Sequence, residues 1–95
     1  MRECVGKVTH YFNRLGVAVI EPDGELRVGD LIHLYGHTTD FTQWVGSMEI
    51  DHRKVDVIGP GDQGALLVVK RVRRGDEVFK LTGDDRVEPT VCTHL

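Results

Sequence analysis

Glycine and proline interrupt this chain so often that no helix of ordinary length has room to form. Eleven glycines and three prolines are spread through 95 residues. The stretches between them are short and rich in Val, Ile, Leu and Thr. That is strand-and-turn punctuation, because β-branched residues favour extended backbone while Gly, Asp and Pro reverse it. Val5 to Tyr11 reads as a first strand and Leu15 to Glu21 as a second, joined through Phe12-Asn13-Arg14. Glu25 to Val28 and Leu31 to Tyr35 follow, separated by Gly29-Asp30. The longest strand is expected from Phe41 to about Val55, with Trp44, Met48 and Ile50 on one face and Gln43, Ser47, Glu49 and Asp51 on the other. Period two over that length excludes an amphipathic helix, and Gly46 within it predicts a bulge or a close backbone approach. Ala65 to Val72 and Glu77 to Leu81 complete the set.

Several short strands between regular turns predict an all-β sandwich or barrel, and a barrel removes the exposed edges that so small a sheet would otherwise carry. A barrel has only one interior, yet Val17 to Ile20 and Leu66 to Val69 are apolar on both faces. An outward apolar face is therefore expected at Val17, Val19, Leu67 and Val69. Its cover would be either a protein partner or the tail through Val87, Val91 and Leu95. Residues 1–81 are expected to form the barrel domain and 82–95 an irregular C-terminal tail.

Twelve basic and fifteen acidic residues leave a formal net charge of −3, so any nucleic-acid contact must come from a local patch. Lys54, Lys70, Arg71, Arg73 and Arg74 supply the residues for one, and RNA contact is expected there. Cys4 and Cys92 form no CxxC pair, which excludes a zinc ribbon, while one disulfide between them stays open. The N-terminal residues lack an apolar signal core and no window approaches a membrane span, so a soluble cytoplasmic protein is expected.

Three segments in series resemble the β-barrel second domain of elongation factor Tu and related translational GTPases. They are Gly6-Lys7-Val8 with the run Gly24-x-Leu26-x-Val28-Gly29-Asp30-x-Ile32-x-Leu34-x-Gly36, then Ser47-Met48-Glu49 with Pro60-Gly61-Asp62, then Arg74-Gly75-Asp76-Glu77-Val78. The resemblance implies a closed six-stranded antiparallel Greek-key barrel standing alone, similar to small elongation-factor-like proteins. A related barrel also closes the C-terminal end of proteins similar to U32 peptidases. The translation-factor likeness implies a non-enzymatic binding module that contacts RNA, the ribosome or a translation-linked protein. A protein–protein adaptor or detached accessory barrel without nucleic-acid contact is the alternative. No G-x-x-x-x-G-K-[ST] stretch is present, so GTP is not expected as a ligand. In elongation factors the barrel holds the tRNA end with an aromatic before the first strand and an Asn in the turn matching Pro60 to Gly64. Here no aromatic precedes Val5, and Gln63 stands at the Asn position.

The remaining motifs read mostly as turns. Gly59-Pro60-Gly61-Asp62-Gln63-Gly64 matches G-x-G-x-x-G but leads into a strand instead of the helix that a dinucleotide pyrophosphate needs. Arg74-Gly75-Asp76 serves a hairpin turn. His37, Thr38, Thr39, Asp40 and Phe41 bring an imidazole, hydroxyls, a carboxylate and an aromatic into one loop, and with Gln63 they are the candidate ligand-binding residues. Five histidines lack metal-ligand spacing, and neither a cofactor nor a metal is expected. No nucleophile elbow, H-E-x-x-H or paired acid and base is present, so catalysis is not expected.

Overall fold

Ten β-strands and no helix make up residues 2–81, the part of the chain that the computed structural model describes. They are β1 (Arg2–Phe12), β2 (Val17–Pro22), β3 (Leu26–Arg27), β4 (Leu31–Tyr35), β5 (Asp40–Trp44), β6 (Met48–Ile50), β7 (Arg53–Val55), β8 (Val57–Ile58), β9 (Gly64–Leu67) and β10 (Glu77–Leu81). Eight of them form one antiparallel sheet in the order β5-β4-β10-β1-β2-β9-β6-β7, and β3 pairs with β8 as a separate ribbon. The expected tail 82–95, and Cys92 with it, lies outside the described residues.

The sheet curls around its own apolar side chains. β1 carries two register shifts, between Cys4 and Gly6 and between Val8 and His10, and such bulges bend a strand and increase its twist. Alternate residues turn inward, so Val5, Val8, Ala18, Ile20, Ile32, Leu34, Met48, Leu66 and Val78 fill one core, with Leu26 and Ile58 of the ribbon laid across it. Gly6 permits a close approach of β1 to the β2 backbone, because a Cβ there would meet the Glu21 carbonyl oxygen at 2.9 Å.

The closed six-stranded barrel is not what forms. The molecule is a half-barrel, an open curled sheet with β5 and β7 at its edges. Backbone pairing stops at the seam between β5 and the chain that follows β9, where a side chain does the bridging. The buried Gln43 amide donates to the Leu67 carbonyl at 2.9 Å and accepts from the Val69 N–H at 2.8 Å. It thus offers one donor and one acceptor, as a strand residue would.

Three turns share one chemistry. In Arg27-Val28-Gly29-Asp30, Gly59-Pro60-Gly61-Asp62 and Arg73-Arg74-Gly75-Asp76 the glycine has φ of +98, +94 and +95°. In each, the Asp N–H donates to the carbonyl three residues back, at 3.1, 3.0 and 3.0 Å. In each, one Asp carboxylate oxygen accepts that same residue's N–H, at 2.8, 2.9 and 2.8 Å. The Gly supplies the positive φ at the third turn position, and the Asp closes both backbone groups of the first.

The stretch expected as one strand from Phe41 to Val55 is three. β5 ends at Trp44, residues 45–47 are irregular, and β6 and β7 form a hairpin whose central Asp51 and His52 have φ of +52 and +66°. Positive φ at both central residues is the pattern of a type I′ turn, which Asp and His tolerate better than most residues other than Gly and Asn. The break also reverses the faces. Phe41, Gln43 and Val45 point inward, then Met48 does, while Trp44 faces out. The expected pairing of Trp44 with Met48 therefore fails. Gly46 marks the break, but no atom lies within 4 Å of where its Cβ would be, so it makes no close approach. The strand expected through Val72 ends at Leu67.

Candidate functional site

Register places the outward residues of the central strands in rows. Phe12, Val17 and Leu67 stand opposite one another on β1, β2 and β9. The next row runs His10, Val19, Ala65, Glu49 and Lys54, from β1 to β7. Their inward neighbours Ala18, Leu66 and Met48 are buried in the core, so these rows occupy the convex side. Phe12 and Leu67 are 44% and 50% exposed, Val17 and Val19 are half-buried, and Val69 just beyond β9 is 70% exposed. The expected apolar face at Val17, Val19, Leu67 and Val69 is thus present. Phe12 extends it because β1 runs one residue past its expected end and keeps alternating.

The cationic residues do not form the single patch that sequence order suggests. Arg71, Arg73 and Arg74 line a concavity with His10, Tyr11 and Val72. Lys70 is drawn aside, its ammonium 5.9 Å from the centre of the Phe41 ring. Lys54 sits on the edge strand β7 opposite Glu49, four strand positions from His10. At about 4.8 Å per strand that is roughly 19 Å along the sheet. Period two carries these side chains apart, and the sheet's width completes the separation.

The expected ligand loop is likewise divided. Gly36 and Thr39 exchange backbone hydrogen bonds of 2.8 and 3.4 Å, which tightens the turn. Thr39 and Phe41 are buried on the core side, while His37, Thr38 and Asp40 are exposed. Asp40 is engaged by His33 of β4, whose Nε2 lies 2.5 Å from its Oδ1. The ring of His33 is in turn tilted against Tyr35 and Phe79. Gln63 belongs to another region, a concavity with Glu21, Pro22, Asp23, Pro60, Gly61 and Asp62. Glu21 stands four strand positions from Asp40, through Lys7, Glu77 and Tyr35. Among the described residues no three His, Cys, Asp or Glu side chains group to hold a metal.

His10, Tyr11 and Phe12 were absent from the residues expected at a site, as was Trp44, 66% exposed at the end of β5. Only the strand phase could have indicated them. That phase depends on the bulge after Val8, which no Gly or Pro marks, and on the break after Trp44, where Gly46 marks an irregularity without fixing which face follows it.

No protein-family model matches the chain. It is 33% identical over 78 residues to an uncharacterized protease of Methanocaldococcus jannaschii, covering 81% of this chain and 19% of that protein. It is 36% identical over 78 residues to a collagenase of Porphyromonas gingivalis, covering 80% and 22%. The chain thus spans about a fifth of the length of these curated relatives. Among solved structures, it matches the C-terminal domain of a protein assigned to the U32 peptidases in Geobacillus thermoleovorans. One form superposes with a TM-score of 0.74 at 23% identity over 84% of this chain and 93% of that one. Its selenomethionine variant gives 0.70 at 22% identity over 82% and 98%. The fold is therefore that of this peptidase C-terminal domain.

These likenesses overturn the expected relation to elongation-factor domain 2, and with it the translation-linked binding module. The reason is physical. The Gly-Asp signature that carried the expectation is the thrice-used turn in which Gly supplies positive φ and Asp caps the first residue. A small curled sheet needs that turn whatever the protein does.

Proposed function

We propose that this domain serves as the accessory C-terminal domain of a U32-type peptidase. It packs its convex β1-β2-β9 face on the peptidase body and leaves the chemistry to that body. The observation that carries this reading is the outward apolar row Phe12, Val17 and Leu67, extended by Val19 and Val69. Exposed apolar side chains clustered on a rigid sheet are stabilised by a second surface that removes them from water. The identity of that surface is argued from the curated relatives, named as a protease and a collagenase. In them the matching stretch is about a fifth of the chain, with the remaining protein on the same polypeptide. A U32-type peptidase body, prepared without its own matching segment, should bind this chain in isothermal titration. Leu67→Asp places an unpaired charge in the middle of the face and should abolish binding, whereas Thr42→Asp on β5 should leave it intact. Equal binding by both variants would refute the proposal.

A further inference from the structure

At the His10 end of the apolar face, Arg71, Arg73 and Arg74 border a shallow concavity of about 560 Å³ that is wide open to solvent. None of the three guanidiniums makes an ion pair with a described residue. Their backbone is nonetheless firmly held. Val68 and Val72 are buried on either side of Arg71, and the Arg73 to Asp76 turn is closed by its Asp carboxylate. The turn is also stapled to β1, where the Gly75 N–H donates to the Val8 carbonyl and the Val8 N–H donates to the Asp76 carbonyl, both at 2.8 Å. Three cations are thus presented around one concavity on a backbone fixed by its neighbours, so binding has only the side chains left to order.

We propose that this concavity binds a short acidic peptide segment of a partner protein, with its carboxylates taken by Arg71, Arg73 and Arg74. A guanidinium offers a planar fork that matches a carboxylate with two parallel hydrogen bonds. Three guanidiniums bordering one open depression can each take a separate carboxylate, which favours a segment over a lone ion. One feature favours peptide over nucleic acid: the cations do not continue into a stripe that could follow a phosphate backbone, because Lys54 lies across the sheet and Lys70 over Phe41. An apolar face with a charged rim is the usual composition of a protein–protein contact. This inference goes beyond the accessory role and does not depend on which protein supplies the acidic segment.

The test is fluorescence polarisation of the full chain with a dye-labelled hexaglutamate peptide at about 50 mM salt. Saturable one-to-one binding is expected, weakening several-fold at about 200 mM salt. Arg71→Ala and Arg73→Ala should each lower affinity about fivefold, with the melting temperature unchanged because both side chains are exposed. Arg27→Ala, an exposed arginine already paired with Glu25 at 2.6 Å, should leave affinity unaltered. No saturable binding, an equal loss with Arg27→Ala, or tighter binding of an oligouridylate of equal charge would each overturn the proposal.

Discussion

Replacing Gly36 by alanine should unfold the domain more readily for one identifiable reason, the side chain of Asp76. A Cβ at Gly36 would stand 1.8 Å from Asp76 Oδ1 and 2.6 Å from its Cγ. Gly36 is not among the positive-φ residues, so its backbone accepts alanine without strain. The clash is relieved only by expelling the carboxylate, which is 4% exposed and accepts the Arg73 N–H at 2.8 Å. Losing a hydrogen bond to a charged group costs about 1.5–3 kcal/mol, and the local shift adds about 1 kcal/mol. Gly36→Ala should therefore cost about 3 kcal/mol, and Asp76→Ala about 2 kcal/mol through the cap alone. In the double variant there is no carboxylate to expel, so the total should be about 2–3 kcal/mol, well short of the sum of about 5. Urea unfolding of the four proteins, followed by circular dichroism, closes the cycle. Costs that add to within about 0.5 kcal/mol would show that the two residues act separately and refute the reasoning.

Gln43→Ala leaves the Leu67 carbonyl and the Val69 N–H without their partner; it should cost about 2 kcal/mol and speed hydrogen exchange at the Val69 amide while sparing β4. Gly64→Ala brings a Cβ to 2.7 Å from Ile58 Cδ1 and should lower stability by about 1–3 kcal/mol, with Ile58→Val restoring part of the loss in thermal melts. His52→Gly removes the positive-φ strain of one hairpin residue and should raise stability by about 0.5–1 kcal/mol; a lower melting temperature would show that the His52 side chain contributes more than its backbone costs.

How much was legible depended on whether local chemistry decided the matter. The strands Leu31–Tyr35 and Glu77–Leu81 match the sequence reading to the residue because Gly-Asp turns or glycines bound them, and the first also alternates between faces without interruption. The stretch from Phe41 to Val55 misleads because neither reversal carries a Gly-Asp turn, and Gly46 at the first reads equally well as a bulge within one strand. One is an irregular break at 45–47, fixed by hydrogen bonds from Gly29 to Val45 and from Val45 to Asp30 that no local window contains. The other is Asp51-His52, where a turn usually written Asn-Gly is made by two residues that merely tolerate it. Openness was hidden for a related reason. A seam closed by one glutamine side chain looks, in sequence, like any strand with a polar residue. The apolar face could be read because Val17, Val19, Leu67 and Val69 exceed what one interior accommodates. The arginine concavity could not, since it depends on the bulge in β1 that brings His10 and Tyr11 against residues 71–74. Family resemblance misled most, because the quoted motifs encode turns, and turns recur across unrelated barrels.

Hydrogen–deuterium exchange of the chain, alone and mixed with a U32-type peptidase body lacking its own matching segment, tests the accessory role most directly. The account predicts new protection in β2 and β9 and in the 68–69 segment, with the β3–β8 ribbon and the β4–β5 edge unchanged. Protection that is absent at saturating body, or confined to β4 and β5, would contradict it.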